Sequence, residues 1–303
     1  MTKTTTNLLG ILITIIGGTF LYVQLCSSCG TTVAKEEPVK ETVMPAEPSA
    51  TSYPFAFSDG DYAYNENDNY NFNVSSSSIL MPLSQKVIDG IASLKTFLTE
   101  NAGKVINVTG YYKASESNDS AFPNLGLARA NAVKNHMVEN GISSTQINTM
   151  GQLMEEMVPK DNMYLGPVEY SLADRAADSE DELNALYDKI VANPLVLYFD
   201  TGEASINLTA EQRQKVADIS RYLDKVPNAK AKVVGHTDNE GRRVTNMRLG
   251  QGRADFAKAY LIQNGIADTK IVATSEGPDS PVESNATEEG RAKNRRTVVT
   301  LMK

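Results

Sequence analysis

The sequence has no tryptophan, and only two histidines and two cysteines occur among its 303 residues. Few aromatic side chains argue against a flat stacking platform for single-stranded nucleic acid. A net charge of -8 also argues against a polyphosphate partner. Cys26 and Cys29 lie at the edge of an apolar run, so they provide no disulfide framework for folded domains.

The residues that common catalytic sites need are missing as well. Neither G-x-S-x-G nor H-E-x-x-H occurs, and no motif pairs two carboxylates for acid–base work. His136 and His236 have no histidine or cysteine nearby, so neither is predicted to bind a metal. The sequence therefore predicts a protein that is not an enzyme and that needs no metal or cofactor.

Charge is distributed unevenly along the chain. From Glu182 onward there are 18 basic and 16 acidic residues, a net charge of +2. Before Glu182 there are 11 basic and 21 acidic residues, a net charge of -10. We therefore expect an anionic ligand to bind near the end of the chain.

An uncharged apolar run extends from Leu8 to Cys26. At ~1.5 Å per residue a helix of this length would span ~28 Å, about one hydrocarbon core. This predicts a transmembrane anchor within residues 1–30, with Lys3 on the cytoplasmic side. Two alternatives stay open: a lipid anchor on Cys26 or Cys29 after cleavage, and a signal peptide that is removed. Residues 31–70 are rich in Pro, Glu, Ser, Asp and Asn, which predicts a flexible linker.

The rest of the chain repeats itself. Residues 124–142 and 248–266 align without a gap, and 8 of 19 positions are identical. Upstream, Gly110 and Gly235 each follow a strand-like segment. A period of ~125 residues is too long for a solenoid repeat. The pattern therefore predicts a duplicated domain, with copies at 71–173 and 182–303.

Periodicity in the second copy predicts strands alternating with helices. A capping box of Thr209 and Gln212 opens one helix, and another box of Ser179 and Glu182 opens a linking helix before it. A further helix ends at Asn264-Gly265; its predicted buried residues are Leu249, Phe256, Ala257, Tyr260 and Leu261. Strands are predicted over 229–236, 270–275 and 296–301. The fold class is therefore α/β, an α+β sandwich with a mixed sheet.

Three strings then follow in order in the second copy: Gly235-His236-Thr237-Asp238 with Gly241, Asn246 through Leu249 to Arg253-Ala254, and Asn285 through Asn294-Arg295-Arg296. They resemble the OmpA-like peptidoglycan-binding domain family, to which the Pal lipoprotein and the MotB stator protein belong. The resemblance covers the last ~120 residues. It implies a βαβαβ sandwich that grips the diaminopimelate of the peptidoglycan peptide stem.

By this resemblance Asp238 and Arg253 are the gripping pair. The matching positions that line or support the pocket are Thr237, Asn246, Leu249, Phe199, Asp200 and Arg296. A carboxylate can accept from the diaminopimelate ammonium, and a guanidinium can clasp its carboxylate through two parallel hydrogen bonds. One alternative stays open for the last string: Thr287 could simply cap a short helix, and Arg295 or Arg296 could simply pair with carboxylates.

The sequence departs from the family pattern in both copies. Gly250 and Gly252 lie in the ligand-facing helix, and each costs ~1 kcal/mol against alanine, which leaves the rigidity near Arg253 open. The first copy keeps Arg129 where the second has Arg253, but it has Lys113 in place of Asp238. A lysine would repel the ligand ammonium. Our hypothesis is that the first copy has lost the diaminopimelate site and serves as a spacer or binds an envelope protein.

The predicted function is non-covalent binding of peptidoglycan, which anchors a membrane to the cell wall. This places the chain in the envelope of a Gram-negative-type bacterium, membrane-anchored with both domains in the periplasm. The alternative is a stator-like component of an energised complex. A stator normally has an ionisable residue in its membrane helix, and Leu8–Cys26 has none.

Overall fold

The computed structural model describes residues 15–22, 49–175, 180–198 and 207–302. The chain divides into two compact units, Met1–Glu47 and Pro48–Lys303. Within the first unit, residues 15–22 form a solvent-exposed helix, α1. In the described part of the chain, no helix has the length and apolar character needed to cross a bilayer. Most of the predicted membrane segment 8–26 lies outside the described residues.

The second unit contains eleven strands and six α-helices in its described residues. Its first half comprises β1 (Phe55–Asp59), β2 (Tyr62–Glu66), β3 (Phe72–Asn73), α2 (Gln85–Glu100), β4 (Lys104–Tyr112), α3 (Leu125–Glu139), β5 (Ile147–Leu153), β6 (Met163–Tyr164) and β7 (Val168–Asp174). Its second half comprises α4 (Glu180–Ala192), β8 (Leu195–Tyr198), α5 (Ala210–Lys225), β9 (Lys230–His236), α6 (Arg243–Gln263), β10 (Ile271–Gly277), α7 (Glu288–Asn294) and β11 (Arg296–Met302).

Each half is built around a mixed sheet. The order is β5-β4-β7 in the first half and β10-β9-β11-β8 in the second. β4 and β5 are parallel, as are β9 and β10. β7 is antiparallel to β4, and β11 is antiparallel to β9. The three central strands therefore share one order and one set of directions in both halves, and the predicted mixed α/β class is confirmed.

The predicted linker over residues 31–70 is wrong for its last part. β1 and β2 form an antiparallel hairpin, and the rings of Phe55, Phe57 and Tyr70 belong to the core of the first half. Aromatic residues recur at every second position in this hairpin, which is the periodicity of a half-buried strand. The overall composition of residues 31–70 does not show this alternation, because polar residues dominate the segment. The earlier part of the linker, residues 31–48, lies outside the described residues.

The second half forms its helices largely as predicted. The Thr209 hydroxyl accepts from the Gln212 amide at 3.2 Å, and the Gln212 side chain accepts from the Thr209 amide at 2.9 Å, so the capping box that opens α5 is confirmed. α6 ends at Gln263 with Asn264 as its C-cap residue, and Gly265 follows with φ +92°. Ser179 of the other predicted box lies outside the described residues. The prediction that Leu249 is buried is wrong, because its side chain is 52% exposed.

A pair of glycines brings α6 onto the central strand. A Cβ on Gly235 of β9 would overlap the carbonyl oxygen of Gly250, and one on Gly250 would overlap the Ser275 hydroxyl. Gly250 is therefore required by a close helix–strand contact, although glycine weakens a helix. A Cβ on Gly252 would meet nothing within 4 Å. The sequence left open whether the two glycines make α6 less rigid near Arg253. At Gly250 the close packing against β9 restrains the helix.

The same contact occurs in the first half. A Cβ on Gly110 of β4 would overlap the carbonyl oxygen of Gly126 on α3, and the reverse also holds. Both helices therefore lie at a comparable, very short distance from their central strands.

Polar contacts join the two halves of the second unit. Lys134 of α3 forms an ion pair with Asp224 of α5 at 2.6 Å, and the lysine side chain is only 3% exposed. The amide of Ala121 donates to the Asn264 side chain at 2.8 Å. Because both contacts cross from one half to the other, they help to hold residues 48–303 as one compact unit.

The glycine contact gives a test with a matched control on the same helix. We expect Gly250→Ala to lower the free energy of unfolding by about 1–3 kcal/mol, because overpacking outweighs the gain in helix propensity. Gly252→Ala meets open space and should be neutral or stabilising by up to ~1 kcal/mol. Urea unfolding followed by circular dichroism measures both. Equal effects of the two substitutions would contradict the assigned contact.

Candidate functional site

The turn that carries Asp238 is fixed by its own hydrogen bonds. Asp238 comes two residues after β9 ends, and the amide of Thr237 donates to the carbonyl of Gly277 at the end of β10 (2.9 Å). The Thr237 hydroxyl donates to the Asp238 carbonyl at 2.8 Å. The Asn246 side chain of α6 donates to the carbonyls of Asp238 (3.2 Å) and Glu240 (2.9 Å). Thr237 and Asn246 are buried, so they act as supports for this turn.

The Asp238 carboxylate is held by an arginine that follows α7. Its Oδ2 accepts from Nη1 of Arg295 at 2.9 Å, and its Oδ1 accepts from the Glu240 amide at 3.2 Å. The Asp238 side chain is 15% exposed, so it is less open than a surface turn residue. Arg295 also donates to Glu288 at 2.7 Å. These hydrogen bonds, first to Glu288 and then to Asp238, raise the pKa of Arg295.

Sequence reasoning did not place Arg295 among the ligand-binding residues, but it left open that Arg295 pairs with carboxylates, as it does with Asp238 and Glu288. Its only signal was its place in the Asn294-Arg295-Arg296 string, directly before β11. A contact between residues 57 positions apart is not readable from local spacing. The structure shows that Arg295, rather than Arg253, is the direct partner of Asp238.

Arg253 presents a largely unpaired guanidinium beside this carboxylate. The residue is half-buried on α6, and its Nη1 donates to the carbonyl of His236 at 3.1 Å. It has no further hydrogen bond or ion pair with the described residues, which therefore leave four of its five N–H donors without a partner. Burial lowers the pKa of Arg253, while the charge of Asp238 raises it and that of Arg295 lowers it. A half-buried cation whose donors lack partners favours the binding of an anion.

The remaining predicted site residues take different roles. Arg296 is buried, and it donates to the carbonyls of Ser280 (3.1 Å) and Asn294 (3.5 Å), so it braces the loop before α7. Burial is the main cause that lowers the pKa of Arg296. Leu249 lies one helical turn before Arg253 and offers an exposed apolar surface there. Phe199 and Asp200 lie outside the described residues.

The segment around α7 is both structural and part of the site. The Thr287 hydroxyl accepts from the Gly290 amide at 3.1 Å and so caps α7, as predicted. The Asn294 side chain accepts from the amide of Val282 (2.8 Å) and donates to the carbonyl of Glu283 (2.8 Å). These bonds shape the loop, and the following residue, Arg295, reaches Asp238.

The site has no arrangement typical of a metal centre. No group of three or more His, Cys, Asp or Glu side chains in the described ranges is placed to hold a metal ion. Asp238 and Arg253, with the apolar Leu249 beside them, instead offer opposite charges to a ligand that carries both.

The model of the OmpA family matches residues 71–162 and 198–295. The chain belongs to the OmpA family. The two matched ranges lie in the regions where the sequence predicted two copies, and the predicted family is confirmed.

Several known proteins are similar to part of the chain. The probable lipoprotein YiaD of Escherichia coli is 32% identical over 46% of this chain and 63% of its own length. The peptidoglycan-associated lipoprotein of Buchnera aphidicola is 32% identical over 40% of this chain and 68% of its own. The peptidoglycan-binding protein ArfA of Mycobacterium bovis is 34% identical over 41% of this chain and 36% of its own. The chain thus spans less than two thirds of the length of YiaD and about a third of that of ArfA.

Among solved structures, the peptidoglycan-associated lipoprotein of Burkholderia pseudomallei is 28% identical, with a TM-score of 0.33. The match covers 37% of this chain and 92% of that one. The C-terminal domain of Helicobacter pylori MotB is 23% identical with a TM-score of 0.31, over 37% of this chain and 84% of that one.

The histidine beneath Arg253 gives a pH prediction. Burial, with the charges of Arg296 and Lys232 and opposed by Glu276, lowers the pKa of His236 from 6.5 to about 4. As pH falls below 6.5 the unfolded chain binds a proton that the folded chain does not. Stability from this residue is therefore complete above pH 6.5 and is lost progressively toward pH 4, by roughly 2–3 kcal/mol.

The measurement is urea unfolding at several pH values for the wild type and for His236→Gln. Carboxylates titrate in both proteins, so the difference between them isolates the histidine. We expect the difference in unfolding free energy to narrow as pH falls from 6.5 to 4. A difference that stays constant over this range would show that His236 is not buried in its neutral form.

Proposed function

We propose that this chain binds peptidoglycan non-covalently through Asp238 and Arg253, and that it anchors a membrane to the cell wall. One observation carries the proposal: a half-buried arginine, most of whose donors have no partner among the described residues, lies beside a carboxylate that a third residue holds in place. Such a pair suits a ligand with an ammonium and a carboxylate close together. The diaminopimelate of a peptidoglycan stem has that chemistry, with both groups at the end of its side chain.

The separate contacts of Asp238 and Arg253 within the site support this assignment. Arg295 takes one oxygen of Asp238 and keeps the carboxylate oriented, which leaves acceptor capacity on both oxygens for an ammonium. The backbone carbonyl of His236 holds Arg253 through a single N–H, which leaves the guanidinium fork for a carboxylate. Each charge-assisted bond contributes ~1.5–3 kcal/mol, so one site binds modestly. The wall is a polymer and the chain is tethered, so effective concentration raises retention.

The relatives support the same function. A lipoprotein named as peptidoglycan-associated and a protein named as peptidoglycan-binding both match this chain at 32–34% identity. Asp238 and Arg253 offer binding geometry rather than a nucleophile, so the role we propose is attachment and not catalysis. The site belongs in the cell envelope, with a membrane anchor in residues 1–30 and the folded unit in the periplasm.

We further propose that residues 71–173 and 182–303 are two copies of one domain. The three central strands have the same order and directions in both, and each central strand has a glycine contact with the following helix. The two halves belong to one compact unit, and the role we propose for the first copy is that of a spacer.

Retention by purified sacculi tests the assigned pair. In the full chain we expect Asp238→Ala and Arg253→Ala each to reduce binding by roughly 10–100-fold, because each removes one charge-assisted contact. The matched controls are Asp255→Ala and Arg248→Ala, which remove exposed charges of the same sign on α6. A co-sedimentation assay with circular dichroism of each variant separates binding from folding. Wild-type retention in either site variant would refute the assignment.

Arg295 should act as a positioning residue. Arg295→Gln leaves Asp238 and Arg253 in place but frees the carboxylate from its partner, so we expect a loss of sacculus binding smaller than that of Asp238→Ala. A double variant, Arg295→Gln with Asp238→Ala, should bind no worse than Asp238→Ala alone, since Arg295 works through that carboxylate. Additive losses in the double variant would instead show that Arg295 contacts the wall directly.

The identity of the diamino acid gives a further test. A muropeptide with diaminopimelate should bind at least ~10-fold more tightly than the same peptide with lysine, which has no carboxylate for Arg253. Titration calorimetry with both peptides measures the ratio. In Arg253→Ala the preference should disappear, and a preference that persists there would place carboxylate recognition elsewhere.

A further inference from the structure

The arginines of the two halves occupy the same place relative to their sheets. Arg253 on α6 donates Nη1 to the carbonyl of His236, the residue after Gly235 (3.1 Å). Arg129 on α3 donates Nη1 to the carbonyl of Tyr111, the residue after Gly110 (2.8 Å). Each arginine comes three residues after the glycine of its helix–strand contact. The first half therefore preserves the position and anchoring of the proposed ligand-binding arginine.

The surroundings of the two guanidinium groups are opposite. Arg129 is completely buried, and all five of its N–H donors are used. Two bonds go to the Glu116 carboxylate, at 2.5 and 3.1 Å, and the others go to the carbonyls of Tyr111, Ser76 (3.0 Å) and Asn73 (3.4 Å). The rings of Phe72 and Tyr164 lie within 6 Å of its charge.

Glu116 is held as completely as a bound ligand would be. Its Oε1 accepts from Arg129 and from the amide of Ser75 (2.9 Å), and its Oε2 accepts from Arg129 and from the amide of Lys113 (2.9 Å). Four hydrogen bonds, two of them from one guanidinium, saturate a carboxylate. The glutamate side chain is 1% exposed.

In the described residues of the second half, no such internal carboxylate reaches Arg253. Lys113 stands at the position of Asp238, and Glu116 comes three residues after it. The residue three positions after Asp238 is Gly241, which is exposed, has φ +85° and has no side chain to reach inward. The chain thus supplies a carboxylate partner for the arginine of the first half, whereas the described residues of the second half supply none that bonds to Arg253.

We propose that the first half retains a carboxylate-binding site whose permanent occupant is Glu116 of the same chain. This inference rests on the proposed role of Arg253 as the arginine that binds a ligand carboxylate. Glu116 determines specificity: it satisfies Arg129, closes the first half to wall peptides and leaves one binding site in the chain.

Chemical rescue tests the proposal. Glu116→Ala removes the CH₂–COO⁻ group, whose volume and charge acetate can replace. The neighbouring residues 114, 115 and 117 are exposed, so the emptied space lies close to solvent. We expect the substitution to lower Tm by about 10 °C, because it leaves a buried guanidinium without its counter-charge. Sodium acetate should then raise the Tm of this variant by several degrees more than sodium chloride at equal ionic strength.

Two controls make the rescue specific. The wild type and Glu116→Gln should respond equally to acetate and chloride, because in both the space is filled. Glu116→Gln should still melt below the wild type, since an amide cannot neutralise the arginine. If Glu116→Ala does not fold in chloride, the yield of refolding from urea in acetate against chloride is the readout.

Equal behaviour of Glu116→Ala in acetate and chloride, by melting or by refolding, would overturn the proposal. So would a Glu116→Gln variant that is as stable as the wild type. Neither readout involves the wall. A failure of sacculus binding to depend on Arg253 is therefore a separate result, which would count against the proposed function and leave the internal carboxylate site standing.

Discussion

The close approach of one helix to one strand governs the geometry of each half. Gly235 and Gly250 lie so near each other that no side chain fits between them. This contact sets the position of the helix relative to the strand. It therefore also sets where a side chain one helical turn further along reaches the end of the strand. Arg253 reaches the carbonyl of His236 because of it. A glycine that weakens an isolated helix thus determines where the charge of the site lies.

The two halves show how one scaffold treats a buried cation in two ways. A guanidinium removed from water needs hydrogen bonds and an opposite charge. In the first half the chain supplies both through Glu116 and several carbonyl groups, and the arginine becomes part of the core. In the second half the described residues supply one carbonyl, and the arginine keeps its capacity for an external anion. The difference lies in a short turn after the central strand, not in the sheet itself.

Much of the fold was predictable because its signals are local. The capping box at Thr209 and the helix end at Gly265 depend on residues a few positions apart, and both formed as expected. The hairpin of β1 and β2 was missed because composition was averaged over a long segment. Leu249 was assigned to the core because helical spacing shows which residues share a face, but not what that face packs against.

The site was predictable in its members but not in its pairings. The family resemblance selected Asp238, which follows β9, and Arg253 of α6, whose side chain reaches the last residue of β9. The partner of Asp238 is Arg295, which approaches from the far end of the domain sequence. Likewise Glu116 belongs to none of the motifs in the sequence, and only the fold shows that its side chain enters the core. Pairings of this kind depend on tertiary structure, because the fold decides which of several distant residues lies next to a given charged group.

The contacts between the halves have a mechanical consequence. Lys134 and Asp224 join α3 to α5, so tension between the start of the second unit and a wall peptide must cross this ion pair and its surroundings. Pulling apart a charge pair from which water is largely excluded costs more Coulomb attraction than separating an exposed pair, because the local dielectric constant is lower. The folded unit would therefore transmit a pulling force between its two halves as one body.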